Sequence, residues 1–460
     1  MKHLMRWKIA TSLLGLTVFS FAVIVALQTF LEKYFDSPRL PAASLTQGQN
    51  ISLRDVNVPV IIWWTPFTGE IALFRKCGDA ECFFTEDRKF AQHPLKKALM
   101  FYGSKFDVLD LPLPRNASSF SWALFHEESP KNNPILSHES ALNLFNFTAT
   151  FSRWSSFPLT LQYLQNLDML TSHKYLLSLK EKNTLLHEIA PVLYIHSDCN
   201  TPLERDAYVV ELMKYIAVDS YGSCLNNRKL PPSLTDPLES LESEEFFHFV
   251  ARYKFTLAFE NSICDDYITE KLWRPLIVGS IPIYLGSPSV CDWLPNAKSA
   301  ILVSDYQSPK SLAEFLLAVN DNNSLYNSFL DHKLKDIDER ISNVKLMTVL
   351  SERKWGVGDD FLGGNMVEHF ECFVCQMVAR RNSDEVFNGK FIANISHYNC
   401  PLPLSPITLK RNESNWWIDQ WKLGHCEAEV LKQLMDENRI MYTKEEFYSV
   451  VKKLMYQNKC

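Results

Sequence analysis

The sequence predicts an α/β protein of two consecutive Rossmann-like domains with a ligand cleft between them. Three observations carry that expectation. Short apolar runs alternate with polar or helix-like segments from Val56 to about Leu186, and a second such series runs from Val192 to about Trp355. Within the second series, Tyr253 to Gly286 reads as strand, charged turn, helix, strand.

Taken in order, the chain begins with an apolar stretch. Ile9 to Leu31 is 23 residues without a charge, enough to cross a bilayer, and Lys2, Arg6 and Lys8 precede it. We read residues 1–8 as a cytosolic tail, 9–31 as a signal-anchor helix and 32–55 as a stem, which leaves the remainder luminal. A cleaved signal peptide is the competing reading, but its apolar region would be shorter. The composition of the 460 residues, 46% hydrophobic with a net charge of −6, is that of a globular protein and excludes a disordered chain or a nucleic-acid binder.

Eleven cysteines and six Asn-x-Ser/Thr sequons, at Asn50, Asn116, Asn146, Asn322, Asn394 and Asn412, suit an oxidising luminal compartment. Cys372 and Cys375 form a Cys-x-x-Cys with no second such pair to complete a zinc site, so a structural disulfide is expected there. Cys77 and Cys82 close another short loop. The odd count leaves one thiol, for which Cys460 is the candidate.

The first α/β domain is placed at 56–187, with apolar runs at Val60 to Trp64, Ala98 to Tyr102, Trp122 to Phe125 and Leu142 to Phe147. The second is placed at 188–365, and a disulfide-containing extension at 366–460. His126-Glu127-Glu128-Ser129-Pro130 follows a predicted strand end, where side chains face the cleft of an open α/β sheet. A carboxylate there suits removal of a proton from an attacking hydroxyl, although two adjacent glutamates are equally ordinary loop charges.

In the second domain, Phe255 to Phe259 and Ser280 to Leu285 read as buried strands. Asp265, Asp266 and Thr269 crowd the start of the helix between them, and Gly279 and Pro282 stop it. A helix N-terminus after a strand is an anion site. Asn261, Tyr267, Glu270 and Lys271 lie where a phosphorylated ligand would sit, the lysine for phosphate and the glutamate for ribose hydroxyls. The pairing suggests a nucleotide sugar; by spacing alone it is also an ordinary surface Glu-Lys pair. Asp336-Ile337-Asp338 is the one Asp-x-Asp triplet, and its charged surroundings mark it as a solvated face rather than a metal site.

Phe259-Glu260-Asn261-Ser262, Asp266 to Leu272, Gly279, Pro282 and Gly286-Ser287-Pro288-Ser289 together resemble the donor-binding motif of the α1,3-fucosyltransferase family, glycosyltransferase family ten. The resemblance implies a GT-B architecture and a GDP-fucose donor, with Glu270 on the ribose, Lys271 on the pyrophosphate, and Asn261 and Tyr267 completing the pocket. Related fucosyltransferases also carry a Cys-x-x-Cys near the end of the donor domain. The Glu-Ser-Pro at 128–130 is similar to the family segment bearing the general base, which implies Glu128, with Glu127 as fallback. Ser197-Asp198-Cys199 and Arg205 resemble the opening of the donor domain and imply a pyrophosphate contact for Arg205; alone, Arg205 is as readily paired with Glu204, Asp206 or Glu211. His126, Arg153 and Arg274 are further cleft candidates, with Arg153 equally able to brace the domain through a carboxylate.

One departure from the family is Arg274-Pro275 in place of Asn-Ala. Pro275 removes an N–H and should kink or shorten the helix. A second departure is the tail to Cys460, with Trp416, Trp417 and Trp421. With residues 63–70, 111–115, 125–133 and 271–275, the tail is similar to the divergent branch of protein O-fucosyltransferases that modify EMI domains. The resemblance therefore implies an inverting, metal-independent fucosyltransferase of the endoplasmic reticulum or Golgi, acting on Ser or Thr of folded cysteine-rich domains. Its rivals are an α1,3-fucosyltransferase acting on N-acetylglucosamine of glycans and a non-catalytic luminal binding protein.

Overall fold

Strands built almost wholly of apolar residues force both faces of each sheet to be covered, and they do so in two sheets. The computed structural model describes residues 51–69, 72–115, 119–235, 241, 243–356, 364–383 and 391–460. Val56–Cys460 forms one compact unit by its internal contacts. The expected anchor at 9–31, most of the stem, Asn50 and Asn116 lie outside the described residues. Among the described residues no helix is long and apolar enough to cross a membrane.

The first sheet contains β1 (Val60–Trp63), β2 (Leu73–Cys77), β3 (Ala80–Thr85), β4 (Lys96–Tyr102), β5 (Ser121–His126), β6 (Phe147–Thr150) and β7 (Phe157–Pro158), in the order β2-β3-β1-β4-β5-β6-β7. All its pairings are parallel except the β2–β3 hairpin. The Leu142 to Phe147 run is not a strand over its length. Glu139–Leu142 is a short helix, and pairing with β5 starts only at Phe147.

The second sheet contains β8 (Val192–His196), β9 (Val218–Gly222), β10 (Phe255–Phe259), β11 (Ile281–Leu285) and β12 (Ile301–Leu302), all parallel, in the order β12-β11-β10-β8-β9. Strand order therefore reverses between β8 and β10, and open α/β sheets bind ligands outside the carboxyl ends of strands at such a point. Phe255, Leu257 and Phe259 pack to one side of the sheet with Tyr208, Val209 and Leu212. Ala258 packs to the other with Leu272, Trp273 and Leu276, as a period of two requires.

The Glu270–Val278 helix starts at Thr269, whose hydroxyl accepts the Lys271 N–H at 3.3 Å, and ends at Gly279 in the left-handed region, φ +72°. The expected shortening at Pro275 does not occur. The helix continues through it, and the Pro275 carbonyl accepts the N–H groups of Gly279 and Ser280 at the helix end.

The extension belongs to this fold rather than lying beyond it. Phe370, Val374 and Val378 of the Met366–Ser383 helix pack into the core of the first sheet, and Trp63 Nε1 donates to buried Glu371 at 2.7 Å. The cysteine pairing expected from spacing is corrected here: the bonds are Cys77–Cys372 and Cys82–Cys375. Cys372 and Cys375 are one helical turn apart and point the same way, so each reaches the hairpin beneath instead of its neighbour. Cys199–Cys224, Cys264–Cys400 and Cys426–Cys460 complete the set, so the free thiol is exposed Cys291 and not Cys460.

Two of the described sequons, Asn322 and Asn394, are exposed. Asn146 donates its amide to Phe391 O at 2.9 Å and Asn412 to Glu204 Oε1 at 2.5 Å, so a glycan on either would compete with a bond of the fold. Trp417 is buried, and Trp421 sets its ring against His138, so these tryptophans act in packing.

Titration of the native full-length protein with a thiol reagent should find one reactive cysteine, and Cys291→Ser should remove it. Reaction at Cys460 in the unreduced native protein would contradict the pairing.

Candidate active site

The carboxyl ends of both sheets meet, because charged residues that follow their strands pair across the gap. Lys131, beyond β5, holds Asp198, beyond β8, with Nζ 2.5 Å from Oδ1. Arg153, beyond β6, grips Asp266, beyond β10. Its backbone N–H and Nε reach Oδ2 at 3.0 and 2.8 Å, a terminal nitrogen reaches Oδ1, and the other terminal nitrogen pairs with exposed Asp292 Oδ2 at 2.5 Å. Ser289 Oγ (2.7 Å) and Trp293 Nε1 (2.8 Å) also donate to Asp266 Oδ1, and the guanidinium lies 4.5 Å over the Trp293 ring. Burial opposes ionisation of Asp266, but the Arg153 bonds override it and hold the pKa below the ordinary carboxylate value. Arg153 is thus a brace between the two sheets and not an open cleft residue, the second of the two readings its position allowed. Asp266 and Asp265 likewise do not cap the helix: Asp265 Oδ2 accepts Asn399 Nδ2 at 2.5 Å.

The donor-side residues expected from the sequence converge at the strand-order reversal. Arg205 opens the Arg205–Leu212 helix and is almost wholly buried. It pairs with none of its helix neighbours by hydrogen bond but donates to Phe259 O (3.0 Å), Asn261 Oδ1 (2.7 Å) and Asp198 O (2.5 Å), joining the ends of β8 and β10. His196, the last residue of β8, is buried among cations; desolvation first, then Arg205, Lys271 and Arg274, depress its pKa well below the usual imidazole value. Burial alone would raise the Glu270 pKa, yet Lys271 and Arg274 hold it at about 2, so Glu270 is ionised. Lys271 Nζ lies 3.1 Å from Glu270 Oε1 and 3.9 Å from Glu260 Oε2.

Glu260 fills part of the expected anion site. Its carboxylate accepts the Thr269 N–H and hydroxyl, both at 2.8 Å, and burial raises its pKa to about 7 against the opposing pull of Lys271. The helix start is therefore partly occupied by the protein's own acid. Tyr267 is buried against Phe151 of the first half, ring centroids 5.0 Å apart.

On the other wall, the two glutamates differ. Glu127 Oε1 accepts the Tyr102 hydroxyl at 3.1 Å while Oε2 is buried without a partner; desolvation, then Glu128, raises its pKa to about 7. Glu128 is also raised by desolvation, but its field comes from Lys271, which lowers it, and Glu270, which raises it. Glu128 thus feels the charges of Lys271 and Glu270, while Glu127 is held against Tyr102. His126 is fully buried, its pKa pushed by desolvation to about 3, and Nε2 lies 3.0 Å from the Tyr398 hydroxyl. A Cβ on Gly103 would come within 2.3 Å of the His126 ring, so close approach fixes glycine there. His126 is thus buried in the packing and does not line an open cleft.

Four residues of this site were not singled out from the sequence. Glu260 stands inside the recognised motif and His196 at a predicted strand end, so position alone marked both. Tyr163, raised by burial and by Glu128 and Glu270, and Tyr398 carried no local signal. Asp336-Ile337-Asp338 sits in an exposed turn, as expected. Among the described residues, the cluster Cys199, Asp206 and Cys224 has metal-ligand spacing, but its two sulfurs are bonded to each other and offer no thiolates.

The fucosyltransferase N-terminal family model matches residues 56–163, and the model of the C-terminal part of glycosyltransferase family 10 (fucosyltransferase) matches 181–390. A relative from Mus musculus named GDP-fucose protein O-fucosyltransferase 3 is 46% identical over 404 residues, covering 85% of this chain and 82% of the relative. One of the same name from Xenopus tropicalis is 47% identical over 403 residues, covering 86% and 84%. A crystal structure of an α1,3-fucosyltransferase with GDP-fucose aligns with a TM-score of 0.41 at 14% identity, over 76% of this chain and 96% of that one.

Replacing Asp266 with Asn leaves Arg153 only its exposed partner Asp292 and should cost about 3 kcal/mol of unfolding free energy. Because the folded pKa is depressed, the contribution is present above about pH 4 and is lost as pH falls through the folded value. Denaturant unfolding should therefore show a gap between wild type and Asp266→Asn that closes on acidification; a gap that is small at pH 7 or widens in acid would remove the brace from this account.

Proposed function

The chain belongs to glycosyltransferase family 10, the fucosyltransferases, and we propose that it moves fucose from GDP-fucose to a Ser or Thr hydroxyl of a folded, cysteine-rich protein domain of the EMI type. The observation that carries the donor half of this reading is Arg205 bonded to the ends of β8 and β10 and to Asn261 at the strand-order reversal, with Lys271 and Glu270 opening the helix that follows β10. The names of the relatives support the protein acceptor.

In this reading the two α/β halves form a GT-B architecture, with the domain limits expected from the sequence. Ionised Glu270 accepts from the ribose hydroxyls, Arg205 and Lys271 hold the pyrophosphate, Asn261 fixes Arg205, and Tyr267 closes the pocket. The acceptor oxygen attacks fucose C1 as the bond from C1 to the β-phosphate oxygen breaks. That bond's electron pair leaves with GDP, whose added charge the cations stabilise, and the hydroxyl proton passes to Glu128. The single displacement inverts C1. Charge balance is met by side chains, which supports metal independence. The apolar stretch at 9–31 and five disulfides support a single membrane anchor and a luminal catalytic region in the endoplasmic reticulum or Golgi.

Full-length protein with labelled GDP-fucose, offered a folded EMI domain and an N-acetyllactosamine glycan in parallel, should place one deoxyhexose on Ser or Thr of the domain. Label on the glycan alone would establish the glycan α1,3 reaction instead, and label on neither would leave a binding protein. Lys271→Ala should weaken GDP-fucose binding by about 10- to 100-fold, the worth of a charge-assisted bond. Glu128→Gln should bind the donor as wild type does and lose transfer. Since the base must be ionised and burial raises its pKa, kcat/KM should fall as pH drops, with its acid limb above the ordinary carboxylate range; a limb at or below that range would count against Glu128.

A further inference from the structure

We infer that Tyr398, on the strap of residues 391–400 that laces the two halves together, is a positioning residue for the Glu128 loop, so that the extension forms part of the active site. This rests on the fucosyl-transfer reading. On the first half, Thr148 Oγ1 meets His397 Nδ1 at 2.8 Å, Thr150 Oγ1 donates to His397 O at 2.5 Å and Ser152 Oγ donates to Ser396 O at 2.7 Å. On the second, Asn399 donates to Asp265 and Cys400 is bonded to Cys264, six residues before Glu270. Between these anchors, the buried Tyr398 ring stacks on His126 and packs against Phe151, each 5.0 Å away.

Proton accounting fixes the direction of the bonds. The Tyr398 hydroxyl is 2.7 Å from the Glu128 main-chain oxygen, which only accepts, so its one proton goes there. The phenol oxygen, 3.0 Å from His126 Nε2, must then accept, which makes Nε2 the protonated nitrogen. His126 Nδ1 is buried without a partner, as an imidazole in this tautomer permits: a bare acceptor, not an orphaned donor. The chain from His126 through Tyr398 to Glu128 thus holds the backbone of the base by a group covalently tied to the donor loop. It touches no substrate, so its effect falls on the chemical step and not on donor binding.

Tyr398→Phe in the full-length protein keeps the ring and removes the hydroxyl. It should lower kcat by about 10-fold with the dissociation constant for GDP-fucose within about 2-fold of wild type, since misplacement of a reacting group costs rate rather than affinity. Cys400→Ser, which releases the strap from the donor loop, should lower kcat in the same way. Wild-type kcat in Tyr398→Phe would overturn the inference, as would a fall in kcat matched by lost donor binding and a lowered melting temperature, the mark of a purely structural residue. Wild type and Glu128→Gln run alongside separate the two claims: a silent wild type refutes the reaction, whereas an active wild type, a silent Glu128→Gln and an unaffected Tyr398→Phe refute only the role of the strap.

Discussion

The buried carboxylate of Asp266 is the constraint on which the site depends. Asp266 stands in the left-handed region at φ +64°, a conformation that costs an L residue about 1–2 kcal/mol. It is held there because its side chain accepts five donors from three residues, Arg153 on one segment and Ser289 and Trp293 on another, and its own N–H meets Ser287 and Ser289. The next residues in the chain are Tyr267 and, after one turn of backbone, Glu270 and Lys271. The direction in which the donor helix leaves its strand is therefore set by an ion pair whose other half belongs to the first sheet.

Around that brace the electrostatics divide by wall. Beyond β5, burial raises both Glu127 and Glu128, and Glu128 adds to the rise at Glu127. On the donor side, the same kind of group, Glu270, is pulled down to about 2 because two cations flank it. Identical chemistry in two environments yields one carboxylate suited to collect a proton and one that remains a fixed acceptor. The neutral His196 belongs with this division, since burial first and the nearby cations after it disfavour an imidazolium there.

Much of this was legible in the sequence, for reasons that particular residues make plain. Phe255 to Phe259 reads as a strand because four of its five side chains are apolar, and Glu270 and Lys271 read as a helix start because the polar turn after that strand ends at them. Local pattern could not supply partners remote in the chain. Arg153 is 113 residues from Asp266, Tyr398 is 270 from Glu128, and the disulfides join a hairpin to a helix almost 300 residues on. Close spacing misled for Cys77 and Cys82 because a hairpin and a helix turn each aim their two sulfurs outward together. The persistence of the helix beyond Pro275 was also hidden: Leu272, Trp273, Leu276 and Val278 are all buried, and their packing outweighs the loss of one backbone bond.

The central claim is that the donor diphosphate sits where β8 and β10 part, between Arg205 and Lys271. The most direct test is an experimental structure of the full-length protein with GDP. Diphosphate density is expected within hydrogen-bonding distance of both side chains, with the ribose beside Glu270. A diphosphate bound elsewhere, out of hydrogen-bonding reach of Arg205 and Lys271, would contradict it.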